Sequence, residues 1–125
     1  MKQLKYNVLA GMLLLFAVSC KKSDSGSGTT YPRQVSITYR VSSTTTNSLL
    51  LITHENETGG LNTVNNPALP YTKTVTRTVN KYTITTLGFA VNPDKTVKLE
   101  ILVDNQVVKS QENTSANAAM SFTFQ

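Results

Sequence analysis

The chain has 125 residues, twelve Lys and Arg against seven Asp and Glu, a single cysteine, one histidine and no tryptophan. One cysteine excludes an intramolecular disulfide, so any folded part is held by packing alone. The basic residues are scattered among Thr and Val, which excludes a nucleic-acid footprint of clustered Lys/Arg with stacking aromatics.

The first 19 residues have the three parts of a secretory signal. Lys2 and Lys5 form a positive n-region, Val8 to Val18 an apolar h-region, and Ala17, Val18 and Ser19 a run of short residues before a cut. An apolar run of this length falls short of the about 20 residues needed to span a bilayer as a helix. Ala17-Val18-Ser19-Cys20 resembles a bacterial lipobox, which implies cleavage between Ser19 and Cys20 and lipid on the Cys20 thiol. Two or more acyl chains anchor a protein stably, so residue 20 is expected to hold the mature chain on a membrane. Loss of Lys2 and Lys5 leaves ten basic residues against seven acidic ones, a mature charge of +3. Lys21 and Lys22 stand beside the anchor, either touching anionic head groups or simply solvated.

Residues 20–34 form the next unit, the lipidated Cys20 and a Ser/Gly-rich stretch with too little apolar surface to order itself. As a flexible coil, residues 21–34 reach ~20 Å on average and ~50 Å at full extension. Residues 35–125 are long enough for one small domain. The whole chain contains 19 Thr, many Val, and no helical spacing beyond two turns after residue 34, a β composition.

The strands follow in chain order. Val35, Ile37, Tyr39 and Val41 alternate with polar residues in the first. Leu49–Thr53 is a short apolar run that reads as a central strand, and Leu61–Val64 a short weak one. Lys73, Val75, Arg77 and Val79 alternate with four threonines, a pattern suited to an edge where Lys discourages unwanted pairing. Tyr82, Ile84 and Thr86 begin a strand that continues through Phe89 and Val91. Asn92-Pro93-Asp94-Lys95 reads as a turn with Pro second. Val97, Leu99, Ile101 and Val103 share a face of the next strand, and Asp104-Asn105 makes a two-residue hairpin turn back to Val107. Ala118–Phe124 is the last strand, with Phe122 and Phe124 on one face. About seven short strands predict an all-β immunoglobulin-like antiparallel sandwich, with a small barrel as the alternative.

Candidate chemistry is sparse. His54 is followed by Glu55 and Glu57, but a metal site needs three or four converging ligands, normally with a second His or Cys. The plainer reading is a polar loop leaving a strand, with Gly59-Gly60 as its turn. No nucleophile elbow, phosphate-cradling glycine loop or fixed carboxylate pair occurs. The sequence therefore predicts no catalytic residue, no metal ligand and no cofactor. Binding is expected on the long polar connections 42–48 and 54–70. Tyr71, after Leu69-Pro70, reads as a core aromatic pinning the start of a strand, with an exposed contact residue as the alternative.

Val35, Thr38, Tyr39 and Val41, then Leu69-Pro70-Tyr71-Thr72-Lys73-Thr74-Val75, then Leu99–Val103 with the Asp104-Asn105 turn and Val107-Val108 make up an order of motifs. In that order the chain resembles the MmpS family of small exported β-sandwich proteins. The resemblance implies an accessory role beside an RND-type envelope transporter. The Ser19-Cys20-Lys21-Lys22 start is similar to Bacteroidota-type lipoproteins, and Lys21 in place of Asp then implies the outer membrane. The expectation is a monomeric, non-enzymatic binding module on a lipid anchor with an envelope protein as partner. A surface glycan-binding or adhesion module is the alternative.

Overall fold

The computed structural model describes residues 29–125. The signal segment 1–19, Cys20 and tether residues 21–28 lie outside the described residues. Six strands follow in order: β1 (Arg33–Ser43), β2 (Leu51–Glu55), β3 (Leu61–Asn65), β4 (Tyr71–Val79), β5 (Ile84–Val103) and β6 (Gln106–Thr123). All pair antiparallel in one curled sheet of order β3-β2-β5-β1-β4, with β6 on β5, and no helix occurs among the described residues.

The architecture follows from the length of β5. β2 pairs with its first half, Leu87–Ala90, and β1 with its second, Val97–Val103, while β6 runs along both. The sheet therefore has two leaves. Leaf one holds β4, β1 and the late half of β5; leaf two holds β3, β2 and the early half. Between Ala90 and Lys95 the ladder with β6 breaks, because four residues of β5 oppose Ala116 alone. Pro93 sits in that gap, where its missing N–H costs no ladder bond and the surplus residues bend the strand. The connections 44–50 and 66–70 fall at the same level. The sheet thus curls about this crease into a half-barrel whose two leaves share one core.

The space between the leaves is the core. Val35, Ile37, Tyr39 and Val41 of β1 point into it, with Ile52 of β2 and Val75 and Val79 of β4. β5 contributes Leu87, Phe89 and Val91 from one half and Val97, Leu99 and Ile101 from the other. Each aliphatic or aromatic side chain buried in this way contributes roughly 1.5–3 kcal/mol, and with no disulfide these burials carry the fold.

Several expectations hold in detail. β4 is an edge strand, β2 lies between two neighbours, and the Val97–Val103 row faces inward. Asp104 and Asn105 have φ of 50° and 69°, the left-handed pair that a two-residue hairpin needs. Other expectations are corrected. Six strands in one sheet stand where the sequence pattern predicts about seven. Residues 92–95 do not reverse the chain; they bend one strand of 20 residues. The inward row at the start of β5 is Thr85, Leu87 and Phe89, so Ile84 and Thr86 face out. β6 is continuous through the polar residues 109–117, because the long β5 offers them a ladder and solvent takes their outer side. On its inward face Lys109, Gln111 and Asn113 stand opposite Ile101, Leu99 and Val97, and among the described residues β6 has no neighbour beyond β5. β1 begins at Arg33, two residues ahead of the expected Val35.

Candidate functional site

His54 is at the end of β2, and the crease carries it beneath leaf one. It is only 1% exposed. Its ring stacks on Tyr39 with centroids 4.7 Å apart and planes 22° from parallel. Nδ1 lies 3.1 Å from the Glu55 carbonyl oxygen and Nε2 3.1 Å from the Tyr71 hydroxyl. The carbonyl can only accept, which puts the proton of the neutral ring on Nδ1 and leaves Nε2 to accept from Tyr71. The Tyr39 hydroxyl shares a 2.6 Å hydrogen bond with Thr85, and both residues are fully buried. Glu55 meets Arg77 at 3.3 Å, with both side chains largely shielded.

These six residues form a polar belt across the core. Tyr39, Tyr71 and Arg77 come from leaf one, and His54, Glu55 and Thr85 from leaf two. Burial pushes the Tyr39 hydroxyl above its usual range; the bond to Thr85 lowers it, Glu55 raises it and Arg77 lowers it by smaller amounts. Burial likewise raises Tyr71. Both ring nitrogens of His54 are occupied and Glu55 is taken by Arg77, while Glu57 lies exposed in the next turn. Among the described residues no cluster of His, Cys, Asp and Glu could hold a metal ion. The loop reading of His54 is corrected: it ends a strand and joins the leaves. Gly59-Gly60 does make the turn, with Gly59 at φ 88° and the Asn56 N–H donating to the Gly60 carbonyl. Tyr71 packs against the core, partly buried, as expected.

A cleft of about 380 Å³ opens at the other end of the sheet from the crease, and Thr29 is in its wall. That volume is in the range of small-ligand and anchor pockets. Tyr31, Arg33, Val103, Val108, Phe122 and Phe124 form most of the lining. The Tyr31 hydroxyl donates to the Gln125 carbonyl at 2.8 Å. The Arg33 guanidinium lies 5.8 Å from the Tyr31 ring centroid and 6.0 Å from that of Phe124, and one of its terminal nitrogens meets Asp104 at 3.3 Å. Phe122 and Phe124 pack edge to face at 5.0 Å.

At the same end of the strands, outside the cleft lining, three apolar side chains stand in solvent: Tyr82 is 63% exposed, Ile84 52% and Val107 49%. Tyr82 belongs to the turn 80–83, where the Thr83 N–H donates to the Asn80 carbonyl and the Tyr82 N–H to the Phe124 carbonyl. Its φ is 72°, a conformation that costs a bulky non-glycine residue about 1 kcal/mol or more. The Lys81 ammonium lies 5.2 Å from the Tyr82 ring centroid and has no acidic partner among the described residues.

Tyr31 and Arg33 fall in the stretch that composition assigns to the tether. The available signal is the aromatic-proline pair Tyr31-Pro32, which interrupts the Ser/Gly run. For Tyr82 and Ile84 the signal is a conflict of phase with Phe89 and Val91, since positions of opposite parity cannot share a face of one strand. No protein-family model and no curated protein matches the chain.

Proposed function

We propose that the chain is an envelope lipoprotein, held by lipid on Cys20, whose β-domain is a non-enzymatic binding or accessory module. The observation that carries this reading is the position of the cleft. Its wall includes Thr29, and the nine residues from Cys20 to Thr29 support a cleft held near the anchor. A cleft held there meets partners in or at its own membrane. The resemblance to the MmpS family supplies the sharpest form, an accessory partner of an RND-type envelope transporter. A glycan-binding or adhesion module would present its surface at the far pole, where the crease connections carry no exposed aromatic ring. Occupation of both His54 nitrogens supports a role other than catalysis. Two leaves facing across one core support a sandwich-like module, and Lys21 beside the anchor supports the outer membrane.

The test is a photo-crosslinking residue at Gln106, on the cleft, with a second at Thr58, in the β2–β3 turn. After mild detergent extraction, position 106 should capture a large membrane protein and position 58 should not. Recovery of the lipoprotein alone from both positions would count against the accessory role. Anchoring is tested separately: Cys20→Ser should release the exported chain from membranes with the fold intact.

A further inference from the structure

We infer that the tether pole is a lipid-docking surface, with Tyr82, Ile84 and Val107 seated at the head-group level and Lys81 against anionic phosphates. The inference rests on the lipid-anchored reading and assigns a partner to the same pole. Three observations converge on it. Tyr82, Ile84 and Val107 stand exposed at the same strand ends whose inward side chains, with Thr29, line the cleft. An anchor at Cys20 would bring this pole to the membrane first. Nine residues at full extension span about 30 Å, so the pole cannot leave the neighbourhood of the bilayer.

The second observation is chemical. A tyrosine with a lysine beside it suits the membrane–water interface, where the ring takes the boundary and the ammonium reaches the phosphates. Asp104, the acidic residue of the cleft lining, is met by Arg33, which leaves the Lys81 charge uncompensated. The third is conformational. Tyr82 is solvent-exposed and sits at φ 72°, where glycine or asparagine would serve the turn better. Among the described residues, the ring's aromatic or cationic neighbour is Lys81.

A contact of this size would be weak for a free protein. On a short tether the second binding event is intramolecular, with an effective concentration of order millimolar, and a weak contact is enough to orient the domain. Docking would hold the cleft level with the bilayer surface, facing the flanks of membrane proteins alongside.

The chain has no tryptophan, so Tyr82→Trp is a unique fluorophore. The lipidated variant is reconstituted in phosphatidylethanolamine–phosphatidylglycerol vesicles with brominated acyl chains, beside an Asn47→Trp control at the crease. The indole of Tyr82→Trp should be quenched severalfold more than that of Asn47→Trp. Equal weak quenching in both variants would overturn the proposal. So would an indole at position 82 that is shielded in cells but unquenched in pure vesicles, the result expected of a protein partner or a second copy. The Cys20→Ser chain should bind phosphatidylglycerol vesicles weakly, and Lys81→Glu should reduce that binding severalfold. If Cys20 carries no acyl chain while Cys20→Ser still binds these vesicles, the anchor reading fails and the docking surface stands.

Discussion

The belt at His54 and the rim at Tyr82 reverse the usual partition of polar and apolar residues, in opposite senses. In the belt, an imidazole, two tyrosine hydroxyls, a threonine and an ion pair lie between two apolar leaves. Each has a partner, and the three cross-chain contacts, Tyr39 with Thr85, His54 with Tyr71 and Glu55 with Arg77, all run from one leaf to the other. In the rim, Tyr82, Ile84 and Val107 stand in water, one of them on a strained backbone, with little inside the chain to account for them. Buried polar groups are costly unless bonded, and here the bonds explain their presence. The rim has no such internal account, and the proposed membrane contact would supply one.

Substitutions should separate the two regions by the quantity they change. His54→Ala removes a stacked ring and the acceptor of the Tyr71 hydroxyl, and should cost about 3 kcal/mol in denaturant unfolding. A loss below about 1 kcal/mol would mean that the belt does not join the leaves. Tyr39→Phe keeps the ring but leaves the buried Thr85 hydroxyl without its partner, a loss of about 1–2 kcal/mol. The same residue sets an alkaline limit. Because Tyr39 and Tyr71 titrate higher in the folded chain than their ordinary value of 10.0, the unfolded chain releases these protons first. Their contribution is intact below pH 10, and stability falls as pH rises beyond it. In Tyr39→Phe that decline should be shallower. Tyr82→Gly reverses the sign: relief of the positive φ should raise stability by up to about 1 kcal/mol while vesicle contact is lost. Val107→Thr, a rim substitution on an ordinary strand, should change stability by no more than about 0.5 kcal/mol.

Local pattern makes part of this fold readable. β1 and the late half of β5 alternate cleanly, and Asp104-Asn105 carries its turn chemistry within two residues. The longer strands escape such a reading because their cause is distant. Pro93 ordinarily ends a ladder, and only β6, pairing on both sides of the gap, keeps β5 in one piece. Residues 109–117 have no apolar alternation, and their extended form depends on β5. His54 reads as a loop residue because its partners are remote, Tyr71 at 17 positions and Tyr39 in the other leaf. The tether pole is split among the linker, a strand start and the last strand, three pieces of sequence that only the closing of the sheet brings together.

The free flank of β6 has a consequence for a molecule confined to a surface. Copies anchored as proposed share one orientation and meet by diffusion in two dimensions, so an open strand would invite stacking into ribbons. Lys109 stands on the concave side of that strand, opposite the buried Ile101. A lysine on an open strand edge discourages pairing with an incoming chain. In the proposed anchored state the lysine would therefore weigh against such stacking.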